Sequence, residues 1–484
     1  VTRRPAKQAA TPAGAAATPR EEAHLERALT HLAAGDPPGV VAALQDRPDL
    51  WTTVVGRLLP VGPERAPEPE PPAIEALWSA LDAAVEASPD EAALYVARGD
   101  LYRRQGRLGN AADEYGHASD LDEDNLEAWL GEAECHAARG YYEDAAEALD
   151  MAADLDPNNI RLFVRLGDVA LAAGDYAQAI HAYEEGLELA PDEPALYTGR
   201  ARASLALDLA EDALEDCRLL LTRRAEDPEG WLLQGQALLA LGREAEALLA
   251  LDRCLELEAG NAEALRWRGG VRWMGGDAVA AAADLAQALA LDPDDDVARL
   301  SLAGACLDLG ELDRAMGLAQ ELISRQPEAS GGYVALARAR LRSADRRAAM
   351  AVLEQGLEVA EDAADLYLER ARLHLELDRR QLAWRDAGWA IDADPALVEA
   401  YVLHGRIGLE IDGPFEAMAD LDAALGMDPA DGEAYAWRGR ARSLLGDWDE
   451  AEQDWAEATA LLDGDHPLHD QIAAWRGGRA TAHA

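Results

Sequence analysis

The chain has 484 residues, 92 acidic against 44 basic, a formal net charge of −48, and 49% of its residues are hydrophobic. That length is ample for packed cores, and the hydrophobic share excludes disorder throughout. The negative field opposes binding to nucleic acid or anionic membranes, and no apolar run nears the roughly 20 residues that a bilayer span needs.

Ala and Leu supply most of the hydrophobic residues, and there are only two Phe, an alphabet that favours helix over sheet. Lys7 is the sole lysine, which points to a GC-rich coding bias and a bacterial source. The four cysteines are widely spaced without a CxxC, as expected of reduced thiols in a cytoplasmic protein.

In chain order, residues 1–20 read as a disordered basic arm lacking the apolar core of a secretory signal. Residues 21–59 hold two short amphipathic stretches, EEAHLERALTHLAAG and GVVAALQDRPDLWTTVVGRLL, expected to be helical. The Pro/Glu-rich segment 60–72 reads as a stiff linker, and 73–91 as an N-terminal capping helix or half repeat.

From residue 92 to 465 a 34-residue period repeats eleven times without insertion or deletion. Alanine occupies position 20 of every unit, from Ala111 through Ala281 to Ala451, and position 8 is always Gly or Ala. Close approach of two antiparallel helices requires small side chains at such points. Position 15 is Gly in seven units, where a left-handed residue ends the first helix. Position 32 is Pro in six, where the second helix stops. Aromatic side chains at position 4, such as Trp129, Tyr197 and Tyr333, are expected to fill the space beside the small residues. A single hairpin cannot bury its apolar faces, so neighbours must stack. The remaining HPLHDQIAAWRGG stretch, within 466–484, reads as a closing helix before a tail.

This pattern resembles the tetratricopeptide repeat, and EAWLGEAECHAARGYYEDAAEALDMAADLDP (127–157) follows its consensus almost throughout. The resemblance implies an all-α superhelical solenoid whose first helices line a concave groove that binds peptides or protein segments. Positions 2, 5, 9, 12 and 13 of the first helix would face that groove. Position 9 reads Asp100, Glu134, Asp168, Arg202, Gln236, Gly270, Gly304, Arg338, Arg372, Arg406 and Arg440. The groove therefore starts acidic, turns neutral, and finishes in a ladder of four arginines. Arg342 lies at position 13, and Trp273 and Met274 near the middle offer an apolar contact. Together these residues would suit a protein or peptide segment carrying acidic groups. The competing reading is a solvated face in which Arg372 pairs with Glu376 and Arg406 with Glu410, four residues on, or with Asp365, Glu399 and Glu433 at position 2. The unit 330–363 stands out, with five arginines, five carboxylates and no net charge.

Catalytic signals are absent from the sequence: there is no GxxxxGK[ST], HExxH or GxSxG, and no cofactor is expected. His466 and His469 have too few companions for a metal site, and the DPDDD run at 292–296 lacks calcium-loop spacing. The cysteines fall at packing positions, and the recurring arginine at position 7 (Arg98, Arg200, Arg268, Arg370, Arg438) reads as structural. The lysine- and asparagine-based carboxylate clamp of chaperone-binding family members has no counterpart here. The expected function is a non-enzymatic scaffold or adaptor. The alternatives are a structural subunit joined through its ends and acidic convex face and, more remotely, a single-strand nucleic-acid binder. Arg3, Arg4, Lys7 and Arg20 could fold back on acidic repeats as an internal cover.

Overall fold

The computed structural model describes residues 18–59 and 71–477. Among these residues it contains 27 α-helices and no strand, and the fold is an all-α helical solenoid. Most of the expected basic arm and linker, and the end of the tail, lie outside the described residues. The chain divides into two compact units, Val1–Ala250 and Leu251–Ala484.

The first unit opens with α1 (Pro19–Ala33), α2 (Pro37–Leu44), a 3-10 turn (Pro48–Leu50) and α3 (Trp51–Leu58). Thr18 and Glu21 cap α1 reciprocally, and Asp36 accepts from the Gly39 N–H to start α2. The next helix, α4 (Pro71–Ala87), begins two residues inside the expected linker. It does not stand apart from the helices before it. Leu25, Leu44, Trp51, Val54, Leu77 and Leu81 form one core that continues into Leu94 and Leu101 of the first repeat helix.

Thereafter helices alternate in antiparallel pairs, and the first helix of each pair starts at position 1 of its 34-residue unit, from Ala92–Arg104 to Gly432–Leu445. None of the position-20 alanines is more than 1% exposed. A larger residue there would have to push the two helices apart. In several units a large side chain at position 24 lies under the small position 8. Tyr115 is wedged between Gly99 and Gly131, Tyr183 between Gly167 and Gly199, and Trp455 sits against Gly439.

That corrects the expectation for the position-4 aromatics. Their polar tips reach back six residues to the preceding turn, Tyr197 Oη to the Pro191 carbonyl at 2.7 Å and Trp129 Nε1 to the Glu123 carbonyl at 3.0 Å. Their rings cross position 27, where Gly356 leaves room for Tyr333.

The position-15 glycines adopt positive φ, as at Gly106 (+74°) and Gly446 (+93°). Asp208, Ala344 and Asp378 take the same left-handed conformation without being glycine. Position 7 carries a repeated ion pair to position 23 of its own unit. Arg200 meets Asp216 at 2.6 Å, Arg268 meets Asp284 at 2.7 Å, and Arg438 meets Asp454 at 2.7 Å. Four position-7 arginines also reach an acid of the preceding helices in their own compact unit: Asp82 for Arg98, Glu184 for Arg200, Asp252 for Arg268 and Asp422 for Arg438. In the second unit the array closes with helix Leu468–Gly477, whose Leu468 and Ile472 are buried and whose Trp475 lies against Trp455.

Candidate functional site

The face presented by the first helices carries the expected site residues, and their neighbours divide them into three groups. In the second unit, Trp273 lies across Gly304, where any Cβ would collide with its ring, and its Nε1 donates to Asp308 Oδ2 at 2.7 Å. Asp308 also lies 3.4 Å from Arg342, whose other nitrogen donates to the Leu307 carbonyl at 2.9 Å. Met274, beside Trp273, is 70% exposed. Val297 and Leu300, at groove positions 2 and 5 of the next first helix, are also exposed, and Leu300 lies over Gly331.

The second group centres on Glu369, a buried carboxylate at position 6 of its unit. Its Oε1 accepts from Arg338 Nη2 and Arg372 Nη1, each at 2.7 Å. Arg372 is bound to Glu399 as well. Burial opposes the charge on Arg372, but Glu369 and Glu399 outweigh it and hold its pKa above the ordinary arginine value. The expected partners four residues on are engaged elsewhere: Glu376 faces Arg346 at 3.2 Å and Glu410 faces Arg380 at 2.8 Å. Arg372 meets Glu369 three residues back on its own helix, while Arg338 to Glu369 and Arg372 to Glu399 run between helix pairs.

The third group is Arg406 and Arg440. Neither has a carboxylate partner among the described residues. Arg406 lies 5.0 Å above the Trp437 ring and Arg440 5.7 Å above that of Trp475. The two indoles meet at 5.1 Å, and buried Trp455 stacks on Trp475 at 6.2 Å. Burial pushes the Arg440 guanidinium below the usual arginine range.

In the first unit the same face is acidic but internally bonded. Asp100 accepts from the Tyr115 hydroxyl at 2.5 Å and Asp168 from the Tyr183 hydroxyl at 2.7 Å. Glu134 is held between Arg103 and Arg165.

Sequence reasoning missed Asp308 and Glu369 as partners. Glu369 occupies a position that is Ala, Gly, Leu, Ser or Trp in most other units, and its contacts bridge residues 31 apart. All four cysteines are buried, and burial pushes Cys135 and Cys254 up to about 11 and Cys217 to about 12. The DPDDD run forms a turn in which Asp295 accepts from Ala298 N–H at 2.8 Å. Among the described residues no cluster of His, Cys, Asp or Glu is arranged to hold a metal. No helix among them is long and apolar enough to cross a membrane.

Two family models, both described as tetratricopeptide repeat, cover much of the chain. One matches residues 102–164 and 273–341, the other 79–124, 164–230, 232–296 and 416–467. Small residues at positions 8 and 20, the left-handed turn at 15 and the stacked hairpins define this class, and the chain belongs to the tetratricopeptide-repeat family. No curated protein matches the chain. Among solved structures, yeast Tom70 is 15% identical, with 83% of this chain and 95% of that one covered at a TM-score of 0.45. A thermophilic TPR protein of Thermus thermophilus, TTC0263, is 29% identical, with 38% and 99% covered at 0.33. A human IFIT1 dimer with m7Gppp-AAAA is 16% identical, with 86% and 94% covered at 0.43.

Proposed function

We propose that the protein is a non-enzymatic scaffold or adaptor that holds an extended or helical protein segment against the first-helix face of residues 262–445. The observation that carries this reading is the exposed apolar side chains of that face, Met274 at the end of one first helix and Val297 and Leu300 at the start of the next, 70%, 60% and 40% exposed, together with the uncovered Gly270. Side chains this apolar are costly to leave in water, and the uncovered glycine at 270 lets another backbone approach closely. Tetratricopeptide arrays present such faces to protein partners, which supports the reading further. Met274 adjoins Trp273 and, through it, the Asp308–Arg342 pair, so a segment bound there would meet both apolar ground and a guanidinium. The test is an array of unstructured peptides probed with the whole chain. Peptides rich in Leu, Met and aromatic residues should be retained, and Met274→Glu with Val297→Glu should remove most of that retention. Unchanged retention by the double variant removes Met274 and Val297 from the site, and retention of no peptide overturns the segment-binding reading.

A further inference from the structure

We propose that Arg406 and Arg440, set on Trp437 and Trp475, read two carboxylates of an acidic protein segment; this rests on the segment-binding reading above. A comparison of register carries it. Arg338 is neutralised by Glu369, 31 residues on, at position 6 of the next unit. Arg406 meets the same position 6 in its own next unit, also 31 residues on, but there the residue is Trp437. An indole has replaced the internal carboxylate. It supports the guanidinium through its ring face without cancelling the charge. Arg440 repeats the arrangement on Trp475, which the closing helix supplies outside the repeat pattern.

In a chain with more than twice as many acids as bases, two neighbouring arginines on one face without a carboxylate stand against the general trend. Arg338 and Arg372, at the same register in two preceding units, are both bound to acids.

The geometry favours recognition in other respects. The rings are in contact in sequence, Trp437 tilted against Trp475 and Trp475 stacked on Trp455, which is 1% exposed, so both guanidiniums rest on rings anchored to the core. A guanidinium lying on a ring keeps its edge N–H groups free, and those are the donors that match a carboxylate in two parallel hydrogen bonds. Arg440 is partly desolvated, which strengthens the attraction for an incoming anion. Successive first helices pack about 10 Å apart, so the two sites suit acids of about that separation. Carboxylates three residues apart on a polyproline-like segment, or seven apart on a helix, meet it. A nucleic-acid strand would bring a continuous row of phosphates past Glu399, Glu410 and Glu433, which lie on the same two helices. A segment with two carboxylates avoids that repulsion.

The experiment measures fluorescence anisotropy of labelled decapeptides, amidated at the C-terminus, binding to the full chain at 150 mM salt. One peptide has two Glu three residues apart among Leu and Ser, the second has Gln in their place, and a labelled decauridylate is the third probe. The Glu peptide should bind about tenfold more tightly than the Gln peptide. Arg406→Gln with Arg440→Gln should abolish that preference while leaving the Gln peptide's affinity unchanged. Arg406→Gln alone, at an exposed side chain without an ion pair, should halve the preference or better and serves if the double variant does not fold. Met274→Glu with Val297→Glu should weaken both peptides alike. Equal binding of the two peptides, preference retained without the two arginines, or tighter binding of decauridylate overturns the acid-reading site alone. Binding of neither peptide overturns the segment-binding reading with it. Preference intact while the Met274 and Val297 changes have no effect removes only those two residues from the site.

Discussion

Arg370 and Asp386, sixteen residues apart on facing helices, meet through two hydrogen bonds, Nε to Oδ2 at 2.7 Å and Nη2 to Oδ1 at 3.0 Å, and the carboxylate is fully buried. This is the position-7 to position-23 pair with its acid most completely enclosed. Removing one member leaves the other charged and desolvated, which is worse than never having had the pair. Asp386→Asn should therefore cost about 3–5 kcal/mol in equilibrium denaturation. Replacement of an exposed arginine such as Arg347 should stay within about 0.5 kcal/mol.

His374 lies 3.6 Å from the same Asp386, and its Nδ1 is buried without a partner. Burial lowers its pKa below 6.5 although Asp386 pulls the other way. The unfolded chain then binds the proton more readily than the folded one, so this histidine contributes stability at neutral pH that is lost as pH falls through its unfolded value. The melting temperature should fall between pH 7 and pH 5 by less in His374→Leu than in the parent chain. A parallel fall in both would exclude His374 as a contributor.

Glu369 neutralises two arginines at once, which makes it the structural member of that group. Glu369→Gln should destabilise the chain by about 1–3 kcal/mol, because a buried charged acceptor is lost from two guanidiniums. Arg338→Gln should cost less than about 1 kcal/mol, since Arg338 is exposed and Glu369 keeps Arg372. Denaturant midpoints of the two variants, measured side by side, decide the ranking.

Ala344 ends a helix at φ +61°, at the position where seven other units have glycine. A Cβ in that conformation costs roughly 1 kcal/mol. Ala344→Gly should raise stability by up to about that amount, reduced by the added freedom of the unfolded chain. Gly310→Ala, in the preceding unit at φ +74°, should lower it. The same sign for both changes would contradict this account.

The fold was legible because its causes are local and repeated. Ala at position 20 and Gly or Ala at position 8 report helix contact directly, and both lie where the small-residue pattern put them. The aromatic at position 4 was misjudged because its tip bonds to a turn carbonyl, which composition does not reveal. The partners on the first-helix face were legible only in part. Glu399, one of the position-2 acids expected there, does hold Arg372, but the rule that pairs residues four apart on one helix led to Glu376, whereas Glu369 takes Arg372 three residues on and Arg338 from 31 residues away. Stacked helices bring such residues together, and only the packing angle decides which acid reaches which arginine. The free state of Arg406 and Arg440 depended on Trp437, at a position 6 that varies from unit to unit, and on Trp475, which lies beyond the repeats.

Arginine stands at position 7 in five of the eleven units, where it fastens the helix pair internally and, in four of them, to the helices before it. Units 296–329 and 330–363 have Leu302 and Leu336 at that position instead. The ion pairs there include Arg299 to Glu321 at 3.3 Å and Arg342 to Asp308 at 3.4 Å, longer and with more exposed carboxylates than the two-pronged position-7 pairs, so the helices slide more readily. Local opening of the array should begin in this stretch, and amide hydrogens in 296–363 should exchange faster than those in 364–461. The same stretch carries Val297, Leu300 and Arg338, so the seam where neighbours part most easily is the one a partner would have to settle into.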